Sequence, residues 1–136
     1  MHFMYDKELV SEIVSQILTA IRRIERRSST ISNANDFVSS DEGVDMLDSI
    51  AMMLIAIGES CKNLDKVSDG EILSKYPQMD WKGVKGMRDI ISHHYFDINA
   101  EIVLSVCRKQ IPELHTVFDA MLHDLKTTPT IPTSKN

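Results

Sequence analysis

From Asp6 to about Arg27, apolar residues fall at Val10, Ile13, Val14, Ile17, Ile21 and Ile24, with Leu9 and Leu18 widening the stripe. Intervals of three and four mark one face of a helix, so the pattern predicts a first amphipathic helix. The run SSTISNAND that follows is rich in side chains that compete for helical hydrogen bonds, and predicts a loop. Ser39 with Glu42 matches a capping box, placing the start of a second helix near Ser39. That helix continues through VDMLDSIAMMLIAIGESCKNL, apolar on more than one side, which assigns it to the centre of a bundle. Met46, Met52 and Met53 within it read as core packing. Ser68 with Glu71 is a second capping box, opening a short helix that must stop before Pro77. Asp80 can cap a fourth helix carrying Trp81, Val84, Met87, Ile90 and Ile91. Gly83 and Gly86 fall inside it and cost about 1 kcal/mol each relative to alanine. Close approach of another backbone, within the chain or from a second subunit, would offset that cost. A last helix is predicted from about Ala100 to Leu125, with Ile102, Val106, Ile111, Leu114, Val117, Phe118, Met121 and Leu125 inward and a kink or break at Pro112. No stretch sustains period-two alternation, so the expected class is all-α, a bundle with short connections.

Composition narrows the setting. At 136 residues, with 43% hydrophobic and 26% charged positions, the chain has the make-up of one folded domain. The tail TTPTIPTSKN lacks periodicity and is expected to be disordered from residue 127 to 136. The longest apolar run, IAMMLIAIG, is far short of the ~20 residues a membrane span needs. The N-terminus lacks the basic start and apolar core of a signal peptide. Cys61 and Cys107 lie in helical patterns without partner spacing and read as reduced core thiols, so the expected compartment is the cytoplasm. A net charge of −5 argues against broad wrapping of nucleic acid but leaves room for a local basic patch. Two cation groups are present: Arg22, Arg23, Arg26 and Arg27, and Lys82, Lys85 and Arg88. The arginines sit where they complement the first helix's macrodipole.

The segment RDIISHHY, residues 88–95, concentrates the chemistry. If the fourth helix ran through it, Asp89 and His93 would share a face, and the carboxylate could fix the imidazole's tautomer. Arg88 and His93, five apart, would diverge by about 140° on an ideal helix. Their convergence therefore requires that the helix end or distort around Ser92, or that a second copy contribute across a two-fold axis. An arginine and a histidine without an acidic metal cluster suit metal-free phosphate chemistry: the guanidinium grips a phosphate and the histidine shuttles a proton. RNA supplies its own nucleophile in the 2′-hydroxyl. The plain structural alternative makes Arg88 a surface ion pair, His93 and His94 helix C-cap residues, and Tyr95 a packing residue. No metal is expected, because His93, His94, His115 and His123 lack ligand spacing. Nor is there a glycine-rich phosphate loop or nucleophile-elbow motif.

With AIGE at 56–59, Pro77, Trp81 and GMRDIISHHYFDI from Gly86, the chain resembles the HepT-like proteins, formerly domain of unknown function 86, in the HEPN superfamily of helical ribonucleases. The resemblance runs from the first helix to about Leu125. The family's signature is arginine, a polar residue, three further positions, histidine, any residue and tyrosine. It falls on Arg88, Asp89, His93, His94 and Tyr95. Asparagine is commoner after the arginine, so Asp89 is a departure. The resemblance implies a homodimeric HEPN-like bundle of four to five helices over residues 1–126. It implies the toxin of a type VII (HEPN/MNT) toxin–antitoxin system, a metal-independent endoribonuclease needing no cofactor. Arg88 and His93 are then catalytic, Asp89, His94 and Glu59 are site neighbours, and Tyr95 is the residue on which an MNT-type nucleotidyltransferase antitoxin places AMP. The other class implied is a non-catalytic nucleotide-binding or docking subunit of a nucleotidyltransferase complex.

Overall fold

A computed structural model of the chain describes residues 5–94 and 97–127, with His93 and His94 described by their backbone alone. Helix α1, Lys7–Ser28, begins where the Asp6 side chain accepts the Leu9 N–H at 3.1 Å. Val10, Ile13, Val14, Ile17, Leu18, Ile21 and Ile24 are buried along it, as the periodicity predicts, while Leu9 lies outside the stripe and is exposed. Arg27 reaches across to the Ser49 hydroxyl at 2.6 Å, so one member of the arginine group ties helices together.

The predicted loop contains a one-turn helix, α2, Asn35–Val38, which seats Phe37 fully in the core. The Asp36 carboxylate closes the turn before it by accepting the Ser32 N–H at 2.7 Å. Because α2 uses Ser39 as its own C-cap, the N-cap of the next helix shifts by one residue. Ser40, not Ser39, accepts the Gly43 N–H at 3.0 Å. Helix α3 then runs from Asp41 to Ser68 and packs against α1, α2 and most of the helices that follow it, which gives it a central place. Of its methionines, Met46 and Met53 are partly buried against the core, but Met52 is 73% exposed, which corrects its reading as packing. The chain leaves α3 through Asp69 and Gly70, both with positive φ. Ser68 serves both sides of this turn: its hydroxyl donates to the Leu64 carbonyl at 2.7 Å and accepts the Ile72 N–H at 3.2 Å. It thus ends α3 while anchoring the start of α4, Glu71–Ser74.

Asp80 caps helix α5, Trp81–Lys85, by accepting the Gly83 N–H at 3.1 Å. Helix α6, Met87–Ile91, follows after a break at Gly86. Trp81 packs edge-on against Phe118 at 5.6 Å between centroids and donates its indole N–H to the Tyr76 carbonyl at 2.9 Å. Beyond α6 lies a small antiparallel ribbon, β1 (Ser92–His94) with β2 (Asp97–Ile98), which sequence periodicity did not signal. Helix α7, Ala100–Ser105, passes without interruption through a π turn, Val106–Gln110, into α8, Ile111–Thr127. The predicted break at Pro112 is therefore absent. A proline ring clashes with the carbonyl four residues back, and the wider π turn, closed by the Ile111 N–H to the Val106 carbonyl, supplies the extra room.

Among the described residues the fold is all-α apart from that ribbon, with three long helical rods (α1, α3 and α7–α8) and four short helices around one core. The expected four-to-five-helix bundle is thus more finely divided than its sequence pattern suggests. Among the described residues, no helix is long and apolar enough to cross a membrane. Cys61 and Cys107 are free and buried, and burial pushes their thiols up to about 12 and about 11 respectively.

Candidate functional site

Helix α6 owes its orientation to Met87 and Ile91, which are four residues apart, on one face, and sealed into the core. Residues between them rotate away by 100° per position, which brings Arg88 and Asp89 to the surface. Among the described residues the Arg88 side chain enters no hydrogen bond or ion pair, so its guanidinium stands open. That removes the surface-ion-pair alternative for this residue.

The helix stops at Ile91. Ser92 takes extended backbone angles (φ −147°, ψ 119°) and donates its N–H to the Arg88 carbonyl, while the Asn99 N–H closes onto the Ile91 carbonyl at 2.9 Å. The helix therefore ends before His93, which is one of the two arrangements that could let Arg88 and His93 converge. This corrects the expectation that Asp89 and His93 share one helical face, because His93 lies on β1. Ser92 pairs with Ile98 and His94 with Asp97, so two steps along β1 match one along β2. His93 is the extra residue at this irregularity, a bulge of the kind that re-aims backbone next to functional sites. The aromatic and β-branched residues Tyr95, Phe96 and Ile98 were the available sequence signal for an extended segment here. Tyr95 lies outside the described residues, as do the side chains of His93 and His94.

The other cations of the group have separate fates. Lys85 turns to α3 and pairs with Asp65, both partly buried, whereas Lys82 is exposed. Glu59 on α3 is exposed and pairs with Lys62 at 3.0 Å. Its neighbour Gly58 is the residue at which α3 meets the site helices. A Cβ there would stand 2.6 Å from the Val84 carbonyl oxygen and 3.4 Å from the Met87 Cβ. Within the chain, the close backbone approach expected of Gly83 and Gly86 is found at Gly58. Gly83 leaves room for the Asp80 carboxylate that caps α5, and Gly86 marks the break between α5 and α6. Which glycine faces a neighbouring backbone depends on the helix crossing, so local sequence does not show it.

Comparison with known proteins places this arrangement in context. A family model described as "Ribonuclease HepT-like" matches residues 17–121, which include Glu59, Arg88, Asp89 and His93. "Putative RNase MJ0127" of Methanocaldococcus jannaschii is 36% identical over 73 residues, covering 54% of this chain and 57% of its own. "Putative RNase TTE0752" of Caldanaerobacter subterraneus is 43% identical over 58 residues, covering 43% of this chain and 48% of its own. The chain thus spans about half the length of these relatives. No solved structure matches it.

Proposed function

The chain belongs to the ribonuclease HepT-like family, and on that premise we propose that it is a metal-independent endoribonuclease whose Arg88 and His93 act on the scissile phosphate. The observation that carries the proposal is the open guanidinium of Arg88 one turn before the helix end, with His93 on the bulged strand immediately after it. An exposed arginine without an internal carboxylate keeps its fork of donors for a phosphate. His93 accepts the proton of the RNA 2′-hydroxyl as that oxygen bonds to phosphorus. The bond from phosphorus to the 5′-oxygen breaks, and the leaving oxygen takes up a proton from a second histidine. Arg88 stabilises the charge that grows on the non-bridging oxygens. The products are a 2′,3′-cyclic phosphate and a 5′-hydroxyl.

A homodimer supplies the second histidine by bringing another copy's His93 to the same cleft. The remaining roles rest on the family premise. Residues 1–126 form the functional unit, an MNT-type nucleotidyltransferase is the neutralising partner, and Tyr95 receives AMP from it. That modification sets phosphate beside Arg88 and His93 and occupies the cations RNA needs. Asp89 and His94 flank the site, and Glu59 on α3 is a further neighbour. Asp89 places a negative charge next to Arg88 and weakens its hold on phosphate.

The test is cleavage of single-stranded RNA in EDTA by the wild type, Arg88→Ala and His93→Ala. Each variant should lose on the order of 100-fold or more, the scale for removing a charge stabiliser or an acid–base group. A wild type that cleaves no RNA would leave the docking-subunit role as the better account.

A further inference from the structure

Helix α3 grips the site helices along a single face. Gly58, Cys61 and Asp65 fall at i, i+3 and i+7, and α3 contacts both α5 and α6. At one end the Gly58 backbone lies against the carbonyl of Val84 and the Cβ of Met87. Two turns on, Asp65 pairs with Lys85. Between them Cys61 is fully buried. We propose that Gly58 is a positioning residue for Arg88, fixing how closely α6 lies on α3, with the Asp65–Lys85 pair as the second fastening. The activity arm of this proposal rests on the ribonuclease reading above.

The geometry leaves no soft way to accommodate a larger residue. The atom that a methyl group on Gly58 would meet is a backbone oxygen, which cannot rotate aside as a side-chain tip can. Ordinary contact begins near 3.4 Å, against the 2.6 Å available. The α5–α6 unit would have to retreat by the better part of an ångström. Arg88 follows Met87 directly and would move with it. A displacement of about 1 Å in a catalytic group can cost on the order of 100-fold in rate.

A matched control exists on the same helix. A methyl group on Gly43 would strike the carbonyls of Asp36 and Phe37, a comparable clash, but against α2 rather than the site helices. Trp81, the only tryptophan, sits on α5 and reports its movement whether or not the protein cleaves RNA.

The experiment compares wild type, Gly58→Ala, Gly43→Ala and Asp65→Asn by RNA cleavage, Trp81 emission and thermal melting. Gly58→Ala should lower kcat about 10- to 100-fold with KM little changed, and shift Trp81 emission. Gly43→Ala should lower the melting temperature yet leave kcat and Trp81 emission at wild-type values. Asp65→Asn should lower kcat several-fold, although losing a negative charge would by itself favour RNA binding. If Gly58→Ala folds with wild-type kcat and unaltered Trp81 emission, the proposal is overturned. If Gly58→Ala does not fold, Asp65→Asn decides, and an unchanged kcat there overturns it. If the wild type cleaves no RNA, the ribonuclease reading falls and Trp81 emission alone decides. A shift in Gly58→Ala absent from Gly43→Ala then sustains the positioning role, and equal spectra overturn it.

Discussion

Met87→Ala and Met52→Ala are the same chemical change at two methionines that the sequence pattern treats alike as part of an apolar interior. The structure separates them. Met87 is 1% exposed and wedges α6 against α3 beside Gly58, whereas Met52 is 73% exposed on α3. Truncating Met87 removes three heavy atoms from a sealed site, so both the lost transfer energy and the residual cavity count. Buried methionine-to-alanine changes cost about 2–5 kcal/mol. A middle value of about 3 kcal/mol implies a fall in melting temperature of roughly 10 °C for a chain of this size, at about 3–4 °C per kcal/mol. At Met52 there is no comparable contact to lose, and the change should stay within about 0.5 kcal/mol of wild type. Urea unfolding followed by Trp81 fluorescence measures both, with the midpoint moving and the slope constant. A Met87→Ala variant destabilised by less than about 1 kcal/mol, or no better separated from Met52→Ala than that, would refute the anchoring of α6 through Met87.

Three further outcomes follow from particular residues. Tyr76 donates its hydroxyl to Asp124 at 2.5 Å, and burial first, then that bond, raise its pKa above the ordinary 10.0. Its neutral form is therefore the stabilising one. The contribution is whole below about pH 10, fades as pH rises further, and should disappear from the alkaline melting profile of Tyr76→Phe, which loses about 1 kcal/mol at neutral pH. Cys61 and Cys107, with thiols raised by burial, should resist alkylation at pH 8 in the native state and react fully in urea, as a thiol titration would show. Asp89→Asn should raise RNA cleavage several-fold at low salt and less at high salt, since it removes a carboxylate beside an open arginine.

The long helices were legible because 22 residues of α1 and 28 of α3 carry a pattern strong enough to survive local noise. Their edges were less so. Ser39 and Ser40 are equally good caps, and only the presence of α2 decides between them. Ile90 and Ile91 continue the apolar face set by Met87, so periodicity alone does not show whether the fourth helix ends at Ser92 or runs on to His93. The chain nonetheless breaks at Gly86 and again at Ser92, where pairing with Ile98 outweighs another helical turn. Pro112 shows the converse: a residue that forbids a regular α turn is absorbed by a π turn that periodicity cannot reveal. At the site, the outward placement of Arg88 follows from its offset from Met87 and was legible. The contact that holds it, Gly58 on the Val84 carbonyl, joins residues 26 positions apart and depends on tertiary crossing alone.

The chemistry of the RNA ends tests the central claim most directly. A 5′-labelled single-stranded RNA is incubated with the wild-type protein in EDTA, and the product termini are identified by mass spectrometry. Attack by the 2′-hydroxyl, with His93 taking its proton and Arg88 holding the phosphate, predicts 2′,3′-cyclic phosphate and 5′-hydroxyl ends that vanish in His93→Ala. Ends bearing a 3′-hydroxyl and 5′-phosphate, or cleavage that persists in His93→Ala, would contradict it.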